Sequence, residues 1–163
     1  MHSVQIQLDP FLMAWGTSLM THMSADMARA LQSAKTLYLT TYNRRGRFGT
    51  VPIWFFLHQE NIYFCTLRDS LKVRRLRQTG RATIHIGKHT GPRLECIARL
   101  IEDDLELQKR LLRTYRRRYR FRWLILGFRL RRAFARGEEI IVQLTPAAGD
   151  TIVPISAPAP PSS

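Results

Sequence analysis

The densest set of groups able to hold an anion lies in Thr66-Leu-Arg-Asp-Ser-Leu-Lys-Val-Arg-Arg-Leu-Arg77. A strand delivers Thr66 to a turn, and Asp69 or Ser70 caps a short helix from Leu71 to Gln78. Thr79-Gly80 ends that helix. A helix N-terminus offers free backbone N–H groups and a partial positive charge, which suit phosphate. At about 100° per residue, Val73 and Leu76 lie roughly 60° apart and are predicted to face the core. Lys72 and Arg75 flank one edge of that stripe, and Arg74 and Arg77 flank the other. A phosphate at the strand–helix junction would meet Thr66, Ser70, Lys72 and one or two of the Arg side chains. The competing reading is a solvated basic helix face, and the hydroxyls of Thr66 and Ser70 at the cap weigh against it.

Other chemistry is sparse. No catalytic triad, paired carboxylate or activated nucleophile is evident. Asp103-Asp104 and Glu138-Glu139 stand at element ends and read as caps or solubilising charges. Tyr42, Tyr63, His58 and His85 are candidate proton donors or ring contacts, and each has an equally good structural reading. No catalytic residue is assigned. Cys65 and Cys96 are far apart and form no CxxC pattern, so they read as buried free thiols of a cytoplasmic protein. The five His residues show no zinc spacing, and His85 and His89 fall in a strand-like period that keeps them off a common helix face. No metal site is expected.

The elements that must position these residues follow from periodicity. The chain has 163 residues, 45% hydrophobic, which suits one domain with a substantial core. Residues 10 to 34 repeat apolar side chains at three- and four-residue steps and read as helical, with Ser24 a cap for a second helix inside the span. The period then changes to two. Strands are predicted at 36–42, 50–58, 62–66, 82–86, 94–100 and 139–145. In the second, Val51, Ile53, Phe55 and Leu57 would share one face. From Asp103 to about Arg136 the pattern is helical, with a break near Arg120 or Gly127. This gives a mainly β (α+β) chain: a six-stranded barrel with peripheral helices. An N-terminal helical segment spans 1–35, the barrel 36–146 with its helical insert at about 103–136, and a Pro/Ala/Ser-rich tail 147–163.

Charge is the unusual bulk property. Lys and Arg total 26 against 12 Asp and Glu, for a net charge of +14. Only four of the 26 are Lys. Such an excess points to a polyanionic partner, and Arg favours bidentate contact with phosphate or carboxylate, although an Arg codon preference also accounts for part of it. No apolar run reaches the roughly 18 residues that span a bilayer, and no secretory signal pattern is present. Arg113 to Arg136 holds ten Arg with Tyr115, Tyr119, Phe121, Trp123, Phe128 and Phe134 interleaved. This segment reads as an amphipathic helix pair packed on the barrel. Contact with a cofactor tail, peripheral contact with an anionic membrane, and a nucleic-acid surface are its outside readings.

In order, Leu37-Tyr-Leu-Thr-Thr41, Arg45-Gly46-Arg47, Thr50-Val-Pro-Ile-Trp-Phe55, Ile62-Tyr-Phe-Cys-Thr66, Ser70-Leu-Lys-Val-Arg-Arg-Leu-Arg77 and Ala82-Thr-Ile-His-Ile86 resemble the pyridoxamine 5′-phosphate oxidase-like split barrels that bind FMN. Within them the deazaflavin (coenzyme F-420)-dependent branch is the most similar. There a Ser/Thr-x-Pro-Val-Trp strand and a Ser-x-Lys-x-Arg-x-Leu-Arg helix recur. The resemblance covers roughly residues 36 to 102. It departs at Thr79-Gly80-Arg81, where the family has Asp or Asn, then Pro and Arg. It implies a homodimer with clefts shared between chains. It also implies Thr50, Val51 and Pro52 beside the isoalloxazine ring, and Thr66, Ser70, Lys72 and Arg74 or Arg75 on the cofactor phosphate. Trp54 either lines the cleft or packs in the core. The implied function is hydride transfer between a reduced deazaflavin, with FMN as second choice, and a conjugated small-molecule substrate. The cofactor carries that chemistry. Binding of cofactor without turnover is the alternative.

Overall fold

The run from Thr50 to His58, which reads as one strand, is two. The computed structural model describes residues 25–147. In it β2 (Phe48–Ile53) and β3 (Phe56–His58) are separated by Trp54 and Phe55. The other strands are β1 (Leu37–Tyr42), β4 (Asn61–Leu67), β5 (Arg81–Ile86), β6 (Arg93–Ile101) and β7 (Glu139–Pro146). All seven form one antiparallel sheet in the order β2-β1-β5-β6-β7-β4-β3. The six-stranded expectation is therefore corrected to seven among the described residues. β2 and β3 lie at opposite edges of the sheet, yet only three Cα steps, at most about 11 Å, join Ile53 to Phe56. The sheet must curl until its edges nearly meet, giving a half-barrel.

The same break resets the side-chain phase. Ile53, Phe55 and Phe56 are all buried, whereas Val51 is exposed. Strict alternation from Val51 to Leu57 fails because Phe55 enters the barrel core while Phe56 enters a second core outside it.

The barrel core joins Leu37, Leu39, Ile53, Phe55, Ile62, Phe64, Ile84, Leu94, Val142 and Leu144. Helix α1 (Ala25–Ser33) adds Met27 and Leu31, one turn apart, and α2 (Leu71–Thr79) adds Leu76. Val73 and Leu76 are the buried residues of α2, as the helical spacing requires. The helix ends where Gly80, at φ 63°, donates its N–H to Leu76 O at 2.8 Å. The second core lies under α3 (Leu105–Arg118) and α4 (Arg120–Ala135). Leu107, Leu111, Tyr115, Tyr119 and Trp123 recur every four residues and form one ridge that runs through the break at Tyr119. Asp104 caps α3, its carboxylate accepting from the Leu107 N–H at 2.8 Å. The expected helical insert thus packs outside the barrel and breaks near Arg120. Gly127 stays helical, its missing side chain leaving room for the Trp123 ring.

The remainder of the predicted N-terminal helical segment, residues 1–24, and the tail from 148 lie outside the described residues. Among the described residues no helix is long and apolar enough to cross a membrane.

Candidate functional site

Because the sheet curls, the β2–β3 crossover, the end of β4, the start of β7 and the α2 and α4 helices come together around one cleft of about 680 Å³. One part of its lining is the end of β2, Val51, Pro52 and Ile53, with Trp54 of the crossover and Leu130 and Ala133 of α4. The polar part is Thr66, Lys72, Arg129, Arg132 and Arg136, with Glu138 and Glu139.

Trp54 is fixed by the helices. Its ring stacks on Tyr119, centroids 4.4 Å apart and planes 7° from parallel, and meets the edge of Tyr115 at 5.9 Å. The Tyr115 hydroxyl donates to Trp54 O at 2.7 Å. The Tyr119 hydroxyl donates to Lys35 O at 2.8 Å and accepts from the Phe55 N–H at 3.3 Å. The crossover, which lacks ladder partners on both sides, is held in this way by the α3–α4 junction. Trp54 is both packed and cleft-lining, which joins the two readings its sequence position left open.

Of the expected phosphate ligands, Thr66 and Lys72 converge. Thr66 is the buried last inward residue of β4, and Lys72 Nζ donates to its Oγ1 at 2.7 Å. Burial lowers the Lys72 pKa, with the Glu139 carboxylate opposing that fall. Burial also pushes the Glu139 carboxyl up to about 7, against the pull of the Lys72 ammonium. Glu139 Oε2 is buried without a hydrogen-bond partner among the described residues. A protonated carboxyl suits that position better than a charged one. The Cys65 thiol beside it is driven far up by burial, so it stays protonated and unreactive at neutral pH.

The remaining predicted ligands do not reach the cleft. Ser70 is the N-cap of α2, but its hydroxyl makes no cap bond and is buried without a partner. Arg74 is exposed. Arg75 turns toward β2, where its guanidinium packs against Gly49. Thr50 is on β2, but its Oγ1 bonds Thr40 Oγ1 at 2.7 Å instead of lining the cleft. The candidate proton donors also lie elsewhere. Tyr42 bonds Thr83 at 2.9 Å, His85 is half-buried on β5, and His58 and Tyr63 line a separate groove of about 420 Å³.

Sequence reasoning named none of Arg129, Arg132, Arg136 and Glu139 as site residues, although contact of the Arg113–Arg136 segment with a cofactor tail was one of its readings. The three Arg residues are spaced i, i+3, i+7, the spacing of one helix face, and that signal was present in the sequence. No spacing foretells that this face meets Lys72 of α2. Among the described residues no group of three His, Cys, Asp or Glu side chains gathers to hold a metal.

The site's composition fits a flat phosphorylated cofactor. It has an apolar wall on an edge strand, four cations, and a carboxyl that burial tends to keep neutral. Unpaired backbone groups on the free side of β2 can meet a heteroaromatic ring, although Pro52 supplies no N–H.

Solved structures of the same fold agree with this architecture. The heme storage protein HutZ of Vibrio cholerae superposes with a TM-score of 0.60 at 18% identity, covering 80% of this chain and 94% of that one. A Listeria innocua protein provisionally described as a pyridoxamine 5′-phosphate oxidase superposes at 0.57 with 11% identity, covering 79% and 96%. A conserved protein of Mycobacterium tuberculosis, Rv2991, does so at 0.58 with 17% identity, covering 78% and 81%. At these identities the likeness is one of fold. No curated protein matches the chain. The sequence profile described as pyridoxamine 5′-phosphate oxidase matches residues 23–151, most of the chain. With the half-barrel and the cleft at its crossover, that match identifies the chain as a member of the pyridoxamine 5′-phosphate oxidase family.

Proposed function

We infer that this protein is a cytoplasmic oxidoreductase that binds a phosphorylated flavin-class cofactor in the cleft and transfers hydride to a conjugated small-molecule substrate. The observation that carries this reading is the meeting of Lys72 and Thr66 with Arg129, Arg132 and Arg136 beside the apolar Val51–Trp54 segment. When bound, the cofactor supplies the hydride chemistry. The chain's own residues bind and orient it. Lys72 presents a compact charge to the phosphate, and the Arg side chains add planar donors for further anionic groups. Trp54, locked by Tyr115 and Tyr119, keeps the apolar wall rigid, and Leu130 and Ala133 exclude water from the opposite side.

Arg136 is paired with Glu138 at 3.6 Å, and Lys72, Arg129 and Arg132 still exceed what one phosphate monoester requires. A deazaflavin with a phosphodiester and a glutamate tail offers more negative charge to them than FMN does, so the deazaflavin ranks first. Ser70, Arg74 and Arg75 enter this proposal only if the helix start shifts when cofactor binds, since none lines the cleft.

The proposal includes a homodimer. Phe48 opposes Tyr42 on β1, Arg81 opposes Ile97 on β6, and the β1–β5 register carried one step past Thr41–Ala82 sets Tyr42 beside Arg81, which makes one row across the outer sheet face. Phe48 and Ile97 are 67% and 60% exposed, two apolar anchors at the ends of a row that also holds Tyr42 and Arg81, and such a row suits a second copy.

Fluorescence titration of the full chain with the deazaflavin coenzyme and with FMN tests the reading. Tighter deazaflavin binding is expected. Tighter FMN binding reverses the ranking, and binding of neither sinks the oxidoreductase assignment.

A further inference from the structure

Three large apolar side chains of α4 take no part in the cleft. Phe121, Leu124 and Phe128 are 87%, 79% and 72% exposed. At about 100° per residue they fall within a sector of roughly 60°. That sector lies away from the side on which Trp123, Leu130 and Phe134 pack into the second core. Exposed Arg120 and Arg131 border it on one side, and the cleft-lining Arg132, Arg136 and Arg129, also exposed, on the other. So α4 has two apolar faces with Arg between them. Single exposed apolar residues are ordinary, but three large ones in a stripe mark a contact surface.

Charge selects what covers the stripe. From Leu107 to Gly137 the chain carries eleven Arg and Lys109 and not one acidic residue. A second copy of this face would set those cations against each other. Residues 1–24 contain one acid, Asp9, and no Lys or Arg, too little to balance them. A nucleic-acid duplex would satisfy Arg and leave the Phe–Leu–Phe stripe without an apolar partner. An anionic lipid surface supplies both, with headgroup phosphates for the Arg rows and an acyl boundary for the stripe.

We propose that α4 docks the protein on an anionic membrane surface, with Phe121, Leu124 and Phe128 entering the acyl boundary and Arg120 and Arg131 at the headgroups. A helix of 16 residues is about 24 Å long, suited to lying in the interface plane. The docking does not depend on which cofactor the cleft holds.

Co-sedimentation of the full chain with vesicles tests it. Binding to phosphatidylcholine vesicles containing phosphatidylglycerol is expected, with little binding to phosphatidylcholine alone and weakening in high salt. Phe121→Ser/Phe128→Ser should lower that binding at least about tenfold, with melting temperature and cofactor affinity unchanged. Leu124→Ser is the second variant and decides the matter if the double variant folds poorly. Absence of binding to anionic vesicles would overturn the proposal, as would equal binding by the variants. So would a drop in oligomeric mass of the double variant by light scattering, which would make the stripe an interface between copies. Retention on a duplex oligonucleotide that both variants keep, and that anionic vesicles cannot compete away, would also overturn it.

Discussion

Lys72 and Glu139 set the electrostatics of the cleft, and each makes a prediction. Lys72→Met removes the ammonium that Thr66 orients, without large loss of volume. A charge-assisted bond to phosphate contributes about 1.5–3 kcal/mol, so cofactor affinity is expected to fall roughly 10- to 100-fold in the fluorescence titration. An unchanged affinity would remove Lys72 from the site. Glu139 works in the opposite direction. Its carboxyl titrates near 7 because burial disfavours the charge. Above that pH it is an anion beside the proposed phosphate position at Lys72, and below it is neutral. The ratio of wild-type to Glu139→Gln dissociation constants should therefore rise from pH 6 to pH 8. Stability follows the same sign. A carboxyl whose folded pKa exceeds its unfolded value of 4.5 costs stability as pH rises from about 4.5 to 7, and the full cost persists above. Glu139→Gln should melt higher than wild type at pH 8 and at the same temperature at pH 4. Equal melting at both pH values would show that the charge is not buried.

At the scale of elements, the α3–α4 junction acts as the clamp on the crossover. Tyr119→Phe leaves the stacked ring on Trp54 but removes the acceptor for the Phe55 N–H and the donor to Lys35 O. An unsatisfied buried amide costs about 1–3 kcal/mol, so denaturant unfolding should register a loss of that order. A loss within error would mean that the ring alone holds the crossover. These elements were unevenly legible. α2 was readable because Val73 and Leu76 alternate with charges at helical spacing and Gly80 marks its end. The β2–β3 break was not. Val51 to Leu57 is continuously apolar, and its period does not distinguish one long strand from two strands on opposite edges of a sheet. Arg129, Arg132 and Arg136 could be placed on one helix face from spacing, but not beside Lys72, which lies more than fifty residues earlier.

For the whole molecule, the proposed homodimer places Phe48 and Ile97 under a second copy. Phe48→Glu introduces a charge into that row, and light scattering should show the wild-type dimer dissociating toward monomer. If clefts are shared, cofactor affinity should fall with it. A wild-type monomer that binds cofactor fully would separate the site from the assembly.

The sequence by itself determined the strand and helix types, the convergence of Thr66 and Lys72 at one strand–helix junction, and the family, because these depend on local period and on residues close together in the chain. Only the tertiary structure decided which cations join that pair. It turned Arg75 to Gly49 and brought Arg129 and Arg132 of α4, with its C-cap Arg136, into the cleft. It also set Glu139, in sequence an apparent solubilising charge, in the cleft lining, where burial pushes its carboxyl up to about 7. The reason is physical. Burial and long-range proximity follow from how far the sheet curls, and that curl is closed by contacts between Trp54, Tyr115 and Tyr119, some sixty residues apart in the chain.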